Sequence, residues 1–213
     1  MRTLTVDGAR ESSCYTDPGR HSELIYEYLK IFAAVPERME TTAPRVLLFG
    51  GAGFSFPKYF ISRYRHGTMD VVELHRELYD LAREYFFLDE LSRDFDLPKS
   101  GRLRVYIQDA NKYIETCRNR YDIIYNDAYH GATADGGLLS EKSSARIASL
   151  LEKDGSYVIN LITPVEGYGS MQAVLACQVL KNHFRSVRFY QVNPKLSKTT
   201  RQNCIITATG PIS

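Results

Sequence analysis

The stretch Arg45-Val46-Leu47-Leu48-Phe49-Gly50-Gly51-Ala52-Gly53 decides how this chain reads. A short apolar run that closes on small residues describes a buried strand entering a tight turn. The segment Ser55 to Tyr64 that follows reads as a helix, with Ser55 as its N-cap and Pro57 in the first turn, where a missing N–H matters little. Strand, glycine turn and helix in that order place small residues where the backbone bends sharply and where a ligand can approach it closely. A purely structural turn is the other reading of the same residues. The dinucleotide fingerprint is not met, because counting from Gly51 puts its third glycine at position 56, occupied by Phe56. No Gly-Lys-Ser/Thr of a triphosphate loop follows either.

Outward from this unit the pattern repeats. Thr68 to Glu73 reads as a strand and Arg76 to Phe87 as a helix, with Leu78, Leu81, Ala82 and Tyr85 on one face. The charged stretch Asp89 to Gly101 reads as a connecting loop with room for a short helix. Arg102 to Ile107 is a strand, Asp109 to Cys117 a short helix, and Tyr121 to Asn126 a buried strand. Leu138 to Leu151 is an amphipathic helix, Lys153-Asp154-Gly155 a turn, and Ser156 to Ile162 a strand. A helix from about Gly169 to Phe184 precedes two β-rich runs, Ser186 to Val192 and Asn203 to Thr209, which suggest a closing hairpin. Alternating strands and helices predict an α/β fold: a Rossmann-like, mostly parallel seven-stranded sheet with helices on both faces and a C-terminal antiparallel hairpin. Ahead of it, Leu4 to Gly8 is strand and turn, and Ser22 to Ala34 is a helix. Residues 1–40 are therefore expected to form a short N-terminal β appendage, and residues 41–213 the Rossmann-like domain.

Composition narrows the function classes. Apolar residues make up 44% and charged residues 24% of the 213, close to globular averages. A net charge of +2 with interspersed signs argues against nucleic acid as the main partner. Cys14, Cys117, Cys177 and Cys204 are widely spaced and form no zinc pattern, so no metal is expected and a reducing, cytoplasmic setting fits. The first residues are too polar for a secretory segment, and no apolar run approaches the roughly 20 residues that span a bilayer.

Chemistry is expected where the strands end. Glu73 closes its strand about 20 residues after the glycines, where a carboxylate can accept hydrogen bonds from both hydroxyls of a ribose. Asp109, before Ala110, can accept from an adenine amino group or can cap the helix it precedes. Asp127 ends the strand Tyr121 to Asn126; it can hold or deprotonate an amine, and its charge favours a sulfonium donor. Tyr129 and His130 stand beside it, and the segment Gly131 to Gly137 reads as a lid or as a long connection.

Over about Leu4 to Ile162 these pieces resemble the spermidine synthase family. The matching stretches are Leu4-Thr5-Val6-Asp7-Gly8 with Glu11-Ser12-Ser13, Val46 to Gly53, Val71-Val72-Glu73 with Ala82-Arg83-Glu84-Tyr85-Phe86, Gln108-Asp109-Ala110, and Tyr121 to Asp127. The resemblance implies the S-adenosylmethionine-dependent methyltransferase fold. Gly50, Gly51 and Gly53 would lie against an S-adenosyl ligand, Glu73 would hold the ribose, Asp109 and Ala110 the adenine, and Asp127 would activate the attacking amine. The co-substrate would be S-adenosylmethionine or its decarboxylated form, the partner a small-molecule amine, and the assembly to consider a homodimer. Two positions depart from the family pattern. Gly53 stands where the family's Gly-Gly-Gly-Asp-Gly loop carries Asp, and His130 stands where a second Asp follows the catalytic one. Glu11, Glu141 and Glu166 are the acids that could compensate. Methyl transfer, or nucleoside binding without turnover, are the alternative functions.

Overall fold

The computed structural model describes residues 1–6, 8–39, 41–130, 133–134 and 136–212. Its main sheet has seven strands and is mostly parallel, with an antiparallel hairpin at the C-terminal end of the chain and a separate strand pair near the N-terminus, as the sequence pattern predicts. The chain divides into two units, Met1–Ala110 and Asn111–Ser213.

The first unit opens with β1 (Arg2–Val6) and β2 (Ala9–Cys14), paired antiparallel, followed by helix α1 (Glu27–Ala34). Strands β3 (Arg45–Phe49), β4 (Thr68–Glu73) and β5 (Leu103–Ile107) then pair in parallel in that order. Val46 to Phe49 and Met69 to Glu73 are buried throughout, the continuous pattern of parallel strands covered on both faces. Asp70, 1% exposed within β4, lies in register with Arg104 of β5, whose Nε and Nη2 donate to its carboxylate at 2.6 and 3.0 Å. A charge at that depth is tolerable only when paired in this way.

Helix α2 (Ser55–Arg63) leads from β3 to β4, and three helices lead on to β5: α3 (Arg76–Tyr85), α4 (Leu88–Asp94) and α5 (Leu97–Ser100). Two expectations are corrected here. Ser55 is not the N-cap of α2: Phe54 occupies that position with φ 55°, and the Ser55 hydroxyl donates to Ser13 O at 3.0 Å. The charged stretch Asp89 to Gly101 is largely helical, entered through left-handed residues Phe87 (φ 62°) and Asp96 (φ 46°), with Leu88, Leu91 and Leu97 buried. The N-terminal helix is also shorter than expected, starting at Glu27.

Helix α6 (Ala110–Thr116) begins at the boundary. The second unit continues with β6 (Tyr121–Asn126), the short antiparallel pair β7 (Tyr129–His130) and β8 (Thr133–Ala134), α7 (Glu141–Leu150), β9 (Leu151–Thr163), α8 (Met171–Lys181), β10 (Phe184–Gln191) and β11 (Gln202–Pro211). Strand β6 is parallel to β9, and β9, β11 and β10 are antiparallel neighbours. Ser140 caps α7, its Oγ accepting from Ser143 N at 3.3 Å, so the helix starts after the expected Leu138. Lys153-Asp154-Gly155 is not a turn between elements but an irregularity inside β9, where the partner of β6 jumps from Tyr121↔Leu151 to Ile123↔Ser156. A Cβ on Gly155 would lie 2.9 Å from Glu152 O, so the close fold of that irregularity requires glycine. The final helix begins at Met171, two residues later than expected, and ends at Lys181. Of the segment read as a lid, residues 131, 132 and 135 lie outside the described residues, as do Asp7 and the side chain of His130.

Candidate functional site

Each unit carries part of the expected constellation at the C-terminal ends of its parallel strands, where open α/β sheets bind ligands. In the first unit, Gly50 leaves β3 with φ 85° while its N–H still donates to Val72 O at 2.9 Å. The next two amides turn toward β4: Gly51 N and Ala52 N donate to Glu73 Oε2 at 2.8 and 3.0 Å. His75 N donates to Glu73 Oε1 at 3.0 Å. An ionised carboxylate offers about four lone-pair directions, so three bonds leave room for about one more. Glu73 is only 4% exposed and so organises the glycine turn as well as facing it. Sequence reasoning expected a ribose acceptor here and missed this backbone role.

The turn is held tightly from beneath. Phe54 is fully buried, and a Cβ on Gly51 would lie 2.6 Å from its ring. Ala52 (φ 42°) and Phe54 (φ 55°) adopt the left-handed conformation without being glycine, at a cost of about 1–2 kcal/mol each. Gly53 explains its own identity: a Cβ there would lie 2.7 Å from both Cβ and Oγ of Ser12 and 3.1 Å from Phe86 Cδ1. Ser12, buried on β2 and hydrogen-bonded to Ser55 Oγ at 3.0 Å, therefore fills the space that an aspartate at position 53 would need. Its neighbour Glu11 is half-buried, and its carboxyl pKa is raised by burial first and by the charge of Glu73 second. The fold thus brings Glu11, which the sequence could not place, into electrostatic range of Glu73. Gln108 N donates to Glu73 O at 3.0 Å, which sets the half-buried Asp109 and the buried Ala110 just beyond the end of β5.

In the second unit, Asp127 follows β6 and is half-buried. Its Oδ1 accepts from Asn160 Nδ2 at 2.8 Å, and Asn160 Oδ1 accepts from Asn203 Nδ2 at 3.0 Å. Because a carboxylate only accepts, the relay has one polarity, with Asn203 donating to Asn160 and Asn160 to Asp127. Tyr129, half-buried, donates its hydroxyl to Asn160 O at 3.0 Å. Asn126 donates to Tyr157 Oη at 2.9 Å and accepts from Ala128 N at 3.2 Å, fixing the turn that carries Asp127. Asn160, 3% exposed, went unrecognised in the sequence. Its signal is a lone amide inside the apolar run Val158-Ile159-Asn160-Leu161. Among the described residues no group of three His, Cys, Asp or Glu side chains is arranged to hold a metal ion, and no helix is long and apolar enough to cross a membrane.

The spermine/spermidine synthase domain model matches residues 26–200. The chain belongs to that family. A polyamine aminopropyltransferase of Alkaliphilus metalliredigens is 26% identical over 164 residues, covering 77% of this chain and 56% of the relative. One from Vibrio vulnificus is 26% identical over 171 residues, covering 76% and 52%. The chain spans about half the length of the curated relatives it matches. A probable spermidine synthase from Corynebacterium glutamicum superposes with a TM-score of 0.78 at 22% identity, over 97% of this chain and 71% of the other. Human methyltransferase-like protein 13, solved in complex with SAH, gives 0.68 at 18% identity, over 86% and 82%. At such identities the structures speak for the fold alone.

Proposed function

We propose that the chain binds an S-adenosyl nucleoside at its glycine turn and transfers an aminopropyl or related group from it to a small amine, with Asp127 as the base. The observation that carries this reading is the Asp127 carboxylate, oriented by the Asn203–Asn160 relay at the end of β6. A carboxylate held in one orientation can accept a hydrogen bond from the attacking amine and keep its lone pair directed. In the transfer, nitrogen attacks the carbon next to the sulfonium, the carbon–sulfur bond breaks with its electron pair remaining on sulfur, and the amine proton passes to Asp127 and on to water. Gly50, Gly51 and Gly53 let the backbone approach the nucleoside. Glu73 adds a hydrogen bond to the ribose while it holds the turn, and Asp109 with Ala110 receives the adenine. Residues 41–213 form the nucleoside-binding domain on this reading, and the appendage 1–40 contributes Glu11 and Ser12 to it. Tyr129 and His130 are assigned to the acceptor side. The relatives described as polyamine aminopropyltransferases support an amine acceptor.

One observation favours a second reading, methyl transfer from S-adenosylmethionine itself. With Ser12 against Gly53, the loop offers no acid to the amine of a decarboxylated donor. Calorimetry with S-adenosylmethionine, its decarboxylated form and methylthioadenosine, followed by a turnover assay with putrescine, separates the two. Preference for the decarboxylated donor together with product from putrescine supports aminopropyl transfer. Preference for S-adenosylmethionine with methyl transfer supports the second reading, and binding without turnover over a broad amine panel leaves a nucleoside-binding protein. Failure of all three ligands to bind overturns the nucleoside site itself.

A further inference from the structure

The first unit contains a polar cavity of about 160 Å³ whose lining includes Lys58 of α2, Glu90 and Asp94 of α4, His21, Ser22 and Ser62. It uses none of the residues assigned above to the nucleoside or the acceptor. Lys58 is 1% exposed. Its ammonium donates to Phe86 O at 2.5 Å and stands 5.9 Å from the centre of the Phe87 ring. An ammonium has three N–H groups, and among the described residues this carbonyl is the only hydrogen-bond acceptor that the Lys58 ammonium meets. Two strong donors are therefore left facing a space with polar walls, a situation that stable interiors avoid unless something else accepts from them. Burial lowers the Lys58 pKa to about 8, against the opposing pull of Cys14 and Glu90, so the group remains mostly cationic at neutral pH.

The other walls carry the opposite sign. The His21 ring stacks on Phe87 with centroids 3.6 Å apart and its Nδ1 meets Glu90 Oε1 at 2.8 Å, while Ser22 and Ser62 share a hydroxyl hydrogen bond at 3.0 Å. The Glu90 side chain is 44% exposed and Asp94 is exposed, so the acids stand at the open side and the cation at the closed end. A multiply charged anion would be repelled at the mouth and a simple amine at the base. A molecule with both charges meets complementary groups at each end. At about 30 Å³ per water the space holds roughly five waters, which suits a ligand of about five to seven non-hydrogen atoms.

We propose that this cavity binds a small zwitterionic amino acid, its carboxylate on Lys58 and its ammonium toward Glu90 and Asp94. Titration calorimetry and NMR shift mapping with glycine, β-alanine and γ-aminobutyrate test it, with acetate and methylamine as half-ligands carrying one charge each. At least one zwitterion is expected to bind saturably below about 10 mM, and about tenfold or more tighter than either half-ligand. Lys58→Met keeps the side-chain volume and should weaken binding about tenfold or more, as should the double variant Glu90→Gln/Asp94→Asn. Circular dichroism establishes that each variant is folded; should Lys58→Met unfold, the acid pair carries the test. The proposal fails if no zwitterion binds at that concentration, if acetate or methylamine binds as tightly, or if the folded variants retain wild-type affinity.

Discussion

Among the described residues, the buried polar side chains of the first unit are the neutral Ser12, Ser13 and Ser55 and the charged Lys58, Asp70 and Glu73; those of the second are Asn126, Ser143, Ser144, Asn160, Thr163, Ser170 and Gln202, all neutral. Asp70 is compensated by Arg104 and Glu73 by three backbone amides, while the Lys58 ammonium meets one carbonyl. In the second unit the neutral amides converge on Asp127, which itself stays half-exposed. A buried charge is costly to move and therefore shapes the backbone around it. A charge held at the surface by neutral amides keeps its freedom to exchange protons. Glu73 and Asp127 occupy similar places at strand ends, yet the first is suited to building a site and the second to acting in one.

The sharpest way to break this contrast is Asp127→Asn. It is expected to lower kcat by about 10²–10⁴ while leaving nucleoside affinity intact, because only the proton acceptor is lost. Assays with decarboxylated S-adenosylmethionine and putrescine check the first part and calorimetry the second; unchanged turnover would remove Asp127 from the chemistry.

The next effect in size is a pH dependence confined to the first unit. The folded pKa of Lys58 is about 8 against an ordinary 10.5, so between these values the unfolded chain binds the extra proton. Stability contributed by this group therefore rises with pH across that window, by up to about 3 kcal/mol, and is flat below it. Urea unfolding at pH 7.5 and about 10 should show this rise in the wild type relative to Lys58→Met. Parallel curves for the two proteins would show that Lys58 is not held in a desolvated place.

Glu73→Ala should weaken both stability and nucleoside binding, each by about 1–3 kcal/mol, since it strands the amides of Gly51, Ala52 and His75. Loss of nucleoside affinity with full stability would mean that the backbone contacts matter less than the ligand contact. The smallest expected change is in the relay: Asn160→Ala should lower kcat about tenfold, or ~1.4 kcal/mol, with nucleoside affinity unchanged. If turnover is insensitive to it, the amide chain does not orient Asp127.

Strands β4 and β6 were legible to the residue, because short, largely apolar runs that end at or just before an acid leave few alternatives. Helices α4 and α5 were not, because each is entered through a left-handed residue, Phe87 or Asp96, and a phenylalanine gives no sign of that conformation. Ser55 misled for the same reason: its capping chemistry was real, but Phe54 took the cap position and freed the hydroxyl for β2. Gly155 advertised a turn, whereas its small size serves a fold within one long strand. The acids at the strand ends could be read from spacing. What holds them, Asn160 and Asn203 on one side and three backbone amides on the other, depends on contacts between distant parts of the chain that no local pattern encodes.

The contact between Ser12 and Gly53 limits which side chains this loop accepts. Gly53→Asp alone would drive a Cβ to 2.7 Å from Ser12 Cβ, and an alanine at position 12 keeps that carbon in place. An acid at position 53 therefore requires the backbone of β2 that carries Ser12 to shift, and with it the hydrogen bond between Ser12 and Ser55. A substitution at Glu11 changes the charge beside the turn without asking β2 to move.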